Sequence, residues 1–309
     1  MKIIDPYFQI QDDLDRKGLA VRLEECGRIC YKSEELITEG SALPFVKKIA
    51  AHGHNSVMEM AVATLHVQCS SSQIAALLLC QPKFLILDQR DDGLLITGSI
   101  RSFRELYVRC ADNQIVNTLT CFLGNRHPYL FEGVWNVQNA WEEETTLPVK
   151  KLTLDEVEQL PAALLLRHRY IGVKFVVNRA VTHEIVRHRP CSFLQESQRY
   201  CRYSQDKFDN QVTFIRPMFY KEDSEEYRLW VKAMMETEKI YLKLLETSTP
   251  QAARTVLPNS CKTEIIVYCN LEEWRHIFRL RTSNAAEPSM REIMIPLAME
   301  LKKRYPSIE

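Results

Sequence analysis

Nine glycines in a chain of 309 residues leave few places where backbone can turn through positive φ or press directly against a ligand, the two situations glycine suits best. Average usage would be ~7%. Neither G-x-G-x-x-G nor G-x-x-x-x-G-K-[ST] occurs in the chain. A doubly wound dinucleotide fold and a P-loop are therefore excluded as ways of holding a nucleotide, because both depend on glycine-rich backbone at a helix start. Side chains must supply whatever recognition of phosphate the protein has.

The apolar pattern does not follow a regular strand-helix-strand rhythm. Helical spacing runs from Val21 to Tyr31 and from Ser41 to His52, ending at the turn His52-Gly53-His54-Asn55. Alternation from Val57 to Val67 predicts a strand, and Ser70 to Leu79 a short helix. A hairpin follows, Phe84 to Asp88 and Leu94 to Gly98 around Arg90-Asp91-Asp92-Gly93, then one amphipathic helix from Ile100 to Leu123. Arg126 to Thr153 is polar and rich in turn formers, the one stretch that reads as a linker. Tyr170 to Val177 predicts a strand leading into a helix from Asn178 to Val186, with Pro190 ending it and Cys191 to Tyr200 forming a loop. Helices at Glu225 to Glu246 and Pro250 to Leu257, a strand at Thr263 to Cys269, and helices at Leu271 to Leu280 and Met290 to Arg304 complete the reading. The mixture predicts an α+β fold, a mixed or antiparallel sheet with flanking helices.

Lysine plus arginine and aspartate plus glutamate both number 40. A chain without net charge has no overall field for a nucleic acid polymer, so recognition of an anion must be local. No apolar run is long enough for a membrane span, and the N-terminus lacks the pattern of a signal peptide, which predicts a cytoplasmic protein. The ten cysteines show no paired metal-ligand spacing and read as buried thiols, with only Cys191 and Cys201 placed near a candidate ligand.

The stretch His183 to Ser204, HEIVRHRPCSFLQESQRYCRYS, concentrates Arg187, Arg189, Arg199 and Arg202 with His183, His188, Ser192, Ser197 and Ser204, against Glu184 and Glu196 alone. Guanidinium forks interleaved with hydroxyls and the carboxamides of Gln195 and Gln198 suit a ligand carrying phosphate and a polar ring. An ordinary basic surface would show the same composition without this spacing. His183-Glu184 followed by His188 resembles a zinc protease helix only superficially. Five positions apart, the two rings lie ~140° apart on a helix, against ~40° for the productive spacing of four. No metal is expected. Ser197 with His188 as base lacks a third residue to orient the histidine, so Ser197 reads as a hydrogen-bonding ligand residue.

Arg187-His188-Arg189, seven residues, then Ser197, Arg199 and Tyr200 resemble the signature of the flavin-dependent thymidylate synthases, in a longer-chain branch of that family. Ala253-Arg254-Thr255-Val256-Leu257-Pro258, Lys262-Thr263-Glu264, Asn270, Trp274-Arg275-His276 and Leu280-Arg281-Thr282 resemble its later segments in the same order. His52 to Glu59 resembles its G-H-x-S-V-x-E stretch, and Thr97-Gly98-Ser99-Ile100-Arg101 its S-G-N-x-R. The resemblance implies a single domain over residues 1–309, with Asp112 to Arg167 outside the matching segments.

It also implies a reaction, reductive methylation of dUMP to dTMP, with methylenetetrahydrofolate as carbon donor, FAD as cofactor and NADPH as reductant, in a homotetramer with shared sites. Ser56, Arg187, His188, Arg189, Gln195, Asn270 and His276 would hold FAD. Glu184, Arg187, Gln195, Glu196, Ser197, Gln198, Arg199, Arg254 and Arg281 would surround dUMP, with Arg281 the catalytic group near pyrimidine N3. The chain departs from the family at Met60, where histidine is usual, at Glu272, where arginine is usual, and at Glu287, where the longer branch has histidine. Two alternatives stand beside this reading: a flavin- and nucleotide-binding homologue with impaired catalysis, and a single-stranded nucleic acid binder using Arg199 to Tyr203 for stacking.

Overall fold

The computed structural model describes residues 1–51, 54–135 and 146–308. Ten strands are present among them: β1 (Lys2–Ile4), β2 (Tyr7–Ile10), β3 (Val62–Val67), β4 (Leu85–Arg90), β5 (Gly93–Ser99), β6 (Val149–Lys151), β7 (Tyr170–Asn178), β8 (Ser192–Gln195), β9 (Thr213–Ile215) and β10 (Lys262–Asn270). One sheet has the order β4-β5-β3-β6 and another the order β2-β7-β10-β8, each antiparallel throughout. A parallel pair, β1 and β9, completes the set. The expected α+β architecture is therefore what the chain adopts.

β10 positions the rest. All of its residues after Lys262 are buried, which matches its apolar composition on both faces. Ile265, Val267 and Cys269 join Val173 and Phe175 of β7 beneath the helices Leu271–Arg281 and Pro288–Arg304. Ile266 and Tyr268 face the opposite way, into a core shared with Leu194 and the helix Leu19–Ile29. Alternation along one strand thus ties two cores together. Trp274, fully buried, donates from its ring nitrogen to the Ile171 carbonyl at 3.1 Å. Burying side chains of this size contributes roughly 1.5–3 kcal/mol each.

The hairpin β4–β5 forms as expected, and its turn needs Gly93, whose φ is +154° and where a Cβ would meet the Val67 carbonyl oxygen at 2.0 Å. Four expectations are corrected. Val57–Met60 is a 3-10 turn preceding β3, not the start of the strand. The helix expected from Ile100 to Leu123 is two, Ile100–Cys110 and Gln114–Arg126, because Asn113 accepts from the Val116 amide and starts a new helix. Cys191 to Tyr200 is not all loop, since β8 pairs with β10 from Ser192↔Tyr268 to Gln195↔Ile265. In the stretch expected to be a linker, Pro128–Phe131 is helical, Leu130, Phe131 and Trp135 are buried, and β6 pairs with β3. Residues 136–145 of that stretch lie outside the described residues.

Candidate functional site

Two strand-to-helix junctions build the site. At the end of β7, Asn178 accepts from the Val181 amide at 2.9 Å and starts the helix Arg179–Ile185. At the end of β10, Asn270 does the same for the Glu273 amide at 2.9 Å, and its Nδ2 donates to the Arg167 carbonyl. The second helix ends at Arg281, where a cation is favoured by the carbonyl end of the helix dipole.

Arg281 reaches back to the first junction. Its Nη1 donates to Glu184 Oε2 at 2.8 Å, its Nη2 to the Glu184 carbonyl at 3.1 Å, and its Nε to His188 Nε2 at 3.0 Å. His188 is buried, and its Nδ1 lies 3.6 Å from a Glu273 carboxylate oxygen. The His276 ring stands edge-on at 6.0 Å. His188, Glu273 and His276 place potential ligand atoms within 4.8 Å of one another. Yet His188 Nε2 is already engaged by Arg281, and His183 is not in the cluster. The arrangement is a hydrogen-bonded brace for the Arg281 guanidinium.

A second group forms around Ser197. The backbone amide of Ser197 donates to the Cys30 carbonyl at 3.0 Å, and its hydroxyl accepts from the Arg199 amide at 3.3 Å. Exposed Arg199 touches Gln251 Oε1 through Nε at 3.3 Å and lies over the Tyr200 ring at 5.5 Å, which brings it to the short helix Pro250–Ala253, next to Arg254. The Arg254 side chain has no partner among the described residues, nor have the exposed side chains of Arg187 and Arg189. Guanidinium groups without carboxylates are what a phosphate requires.

Between the two groups, Gln195 Nε2 donates to the Thr182 and Thr263 hydroxyls at 3.0 and 3.2 Å. Glu196, its side chain wholly buried, accepts from Tyr203 at 2.7 Å and from Lys262 at 2.8 Å. Lys262 also pairs with Glu264, which Lys32 and Lys174 reach as well. Burial works against the charge on Lys262, but Glu196 and Glu264 outweigh it and hold the ammonium above its ordinary range. Burial likewise opposes ionisation of Glu264, and the lysines overcome it, keeping the carboxyl well below the usual carboxylate range. The Lys262-Thr263-Glu264 segment thus fixes the strand that presents Gln195 to Ser197.

A cavity of about 480 Å³ adjoins the first group, lined by Tyr170, Arg189, Cys191, Ser192 and Asn270 on one side and by Glu59, Arg101 and Phe84 on the other. Arg101 pairs with Glu59 and Glu105 at 2.6 Å. Exposed Ser56 begins the short turn that carries Glu59. Gln198 is buried and its Nε2 has no partner.

Sequence reasoning left Glu273, Gln251 and Lys262 without roles. Glu273 stands one turn before His276 and was detectable from that spacing, whereas Gln251 and Lys262 act through contacts between distant segments. The three departures find local explanations. Met60 is fully buried in the core behind β3. Glu287 accepts from the Met290 amide at 2.8 Å and starts the helix Pro288–Arg304, a place where a carboxylate is favoured. Glu272 is exposed beside Arg275. None of the ten cysteines is in a disulfide, six of them are buried, and burial pushes the Cys26 thiol up to about 12. The expected buried thiols are what the fold contains, with Cys30, Cys69, Cys80 and Cys110 partly exposed.

Residues 17–79 and 149–307 match the model of the family described as thymidylate synthase complementing protein. The internal unmatched stretch, 80–148, begins earlier and ends earlier than the Asp112 to Arg167 gap in the motif resemblance. A flavin-dependent thymidylate synthase of Pyrococcus abyssi is 35% identical over 173 residues, covering 53% of this chain and 70% of that one. One from Corynebacterium efficiens is 30% identical over 148 residues, 43% of this chain and 57% of the relative. Among solved structures, a UMP/dUMP methylase, PolB from Streptomyces cacaoi bound with 5-Br UMP, aligns at 19% identity with a TM-score of 0.39, over 46% of this chain and 73% of that chain.

Proposed function

The chain belongs to the thymidylate synthase complementing protein family, and from that premise we propose that it is a flavin-dependent thymidylate synthase that methylates dUMP to dTMP. The observation that carries the reading is the braced Arg281, held by Glu184 and His188 inside the Arg187-His188-Arg189 motif. A guanidinium fixed in this way stabilises negative charge where it develops, which is what a pyrimidine needs in order to become nucleophilic at C5. The new bond joins C5 of dUMP to the one-carbon unit as that carbon's bond to the folate nitrogen breaks, and the C5 proton is then lost to solvent. Arg281 holds the ring anion at N3 through that step.

Arg199, Arg254 and Ser197 take the nucleotide phosphate, with Arg187 and Gln198 completing the pocket. Gln195, fixed by Thr182 and Thr263, addresses the ligand from the strand edge. Glu196 acts from the interior, through Lys262 and Tyr203.

The residues present fit a flavin. The Arg187 and Arg189 side chains are donors without partners among the described residues, and a cavity adjoins Arg189 and Asn270. FAD would be held by Ser56, Arg187, His188, Arg189, Gln195 and His276, with Asn270 fixing the junction beneath them. When bound and reduced it supplies the reducing equivalents that turn the transferred carbon into a methyl group. Methylenetetrahydrofolate as carbon donor, NADPH as reductant and a cytoplasmic homotetramer complete the proposal. No helix among the described residues is long and apolar enough to cross a membrane.

Reconstitution tests this. The purified protein should carry flavin absorbance or gain it on addition of FAD, and sedimentation should show four copies. A colourless protein that cannot be reconstituted overturns the enzyme reading.

A further inference from the structure

A second cavity, of about 450 Å³, lies on the far side of Val62 and Tyr170 from the one adjoining Arg189. Its wall includes Arg16, Lys17, Arg22, Lys151 and Arg169, against Asp15 and Asp155. Most of these charges are matched. Asp15 pairs with Arg22 at 3.2 Å and Arg169 at 2.7 Å, Asp155 with Arg16 at 3.0 Å, and Glu25 with Lys17 at 2.7 Å, while Glu158 reaches Arg169.

Two donors are left over. Lys151, at the end of β6, has no hydrogen bond or ion pair among the described residues. Arg22 is buried, with Nε donating to the Leu14 carbonyl and Nη1 to the Val62 carbonyl beside Asp15, while its Nη2 makes no hydrogen bond among the described residues. Arg126, also without a carboxylate, adds to the positive field at Lys151. Although the Lys151 side chain is exposed on one flank, the protein crowding its ammonium, and then Arg22 and Arg126, pull its pKa below the ordinary lysine range. Asp15, Asp155, Glu25 and Glu158 answer four of the five cations on the wall, which leaves the charge of Lys151 beside Arg22 without a carboxylate of its own and raises the energy of the free protein. An anion placed among them relieves this, and a compact oxyanion with several acceptors satisfies an ammonium and a guanidinium at once.

We propose that this cavity is a separate binding site for a small phosphate-type oxyanion, with Lys151 and Arg22 as its principal donors. The assignment does not depend on the thymidylate synthase reading, since none of the residues given to dUMP or FAD lines the cavity. Inorganic pyrophosphate is the probe, added to the full chain carrying Arg199→Ala so that the proposed nucleotide phosphate site is disabled. Calorimetry at constant ionic strength should still detect binding, and adding Lys151→Gln should weaken it roughly tenfold, as expected for loss of one charged hydrogen bond. Lys151→Arg should restore it.

Reductive methylation read by peptide mass spectrometry gives a local readout. Pyrophosphate should slow labelling of Lys151 and leave exposed Lys239 unchanged. Equal affinity with and without Lys151→Gln, unchanged labelling of Lys151, or binding only while Arg199 is intact would each overturn the proposal.

Discussion

Arg281 donates from Nε to the Nε2 of His188 at 3.0 Å, so the ring nitrogen facing the guanidinium carries no proton. The same guanidinium is held by the Glu184 carboxylate. Its position is therefore set before any ligand arrives, the condition under which a charged donor contributes most to a transition state. Arg281→Ala should lower single-turnover dTMP formation by on the order of 100-fold to 1,000-fold, beyond any change in dUMP affinity. Flavin content, read from absorbance, should be unchanged. A wild-type single-turnover rate removes Arg281 from the mechanism.

Arg199 has its guanidinium fork open, with one contact to Gln251. Arg199→Ala should weaken dUMP binding by about 2–5 kcal/mol. Arg199→Lys should recover little of that, because an ammonium cannot reproduce a planar bidentate fork. Calorimetry with dUMP decides it, and near-normal binding by the alanine variant would move the phosphate elsewhere.

Lys262 compensates two carboxylates, one of them the fully buried Glu196. Lys262→Met leaves Glu196 buried without a cation and should cost about 3–5 kcal/mol of stability. The urea midpoint should fall with little change in slope. Adding Glu196→Gln should regain part of the loss, because the pair is coupled. Additive losses would show that the ion pair is not what holds the Ser197 segment.

His168 is buried between the Thr97 hydroxyl at 2.8 Å and the Asp88 carboxylate at 2.9 Å. Burial pulls its pKa down to about 4, against the opposing pull of Asp88. An unfolded histidine titrates near ~6.5, so between those values the unfolded chain binds the extra proton. The contribution is fully present above about pH 6.5 and lost as pH falls toward about 4, up to about 3 kcal/mol in all. Urea titrations between about pH 5.5 and 7 should show stability rising with pH, with the slope reduced in His168→Asn. An unchanged slope would assign the dependence to other groups.

Local pattern made much of this fold legible. β7 and β10, the helix after each and the β4–β5 hairpin all follow from periodicity and turn residues. β8 was not, because four residues after a proline carry too little pattern and their partner, Tyr268 to Ile265, is remote in sequence. The break at Asn113 was signalled by a residue suited to start a helix, outweighed by the apolar spacing on both sides. Phe131 and Trp135 are buried within a polar stretch whose average composition conceals them. In the site, the motif named Arg281, Glu184 and His188, but their mutual bonds are tertiary. The carboxylates at Glu272 and Glu287 looked like losses of cationic ligands. Glu287 starts a helix instead, which removes it as an argument for impaired catalysis.

This chain builds a methyl group on C5 of dUMP. FAD-loaded protein supplied with NADPH, dUMP and methylenetetrahydrofolate labelled in its methylene carbon tests it most directly. Labelled dTMP should form, at a strongly reduced rate in Arg281→Ala. Tight binding of both flavin and dUMP with no label transferred by the wild-type protein would contradict it, and would identify the chain as a binding protein on a thymidylate synthase fold.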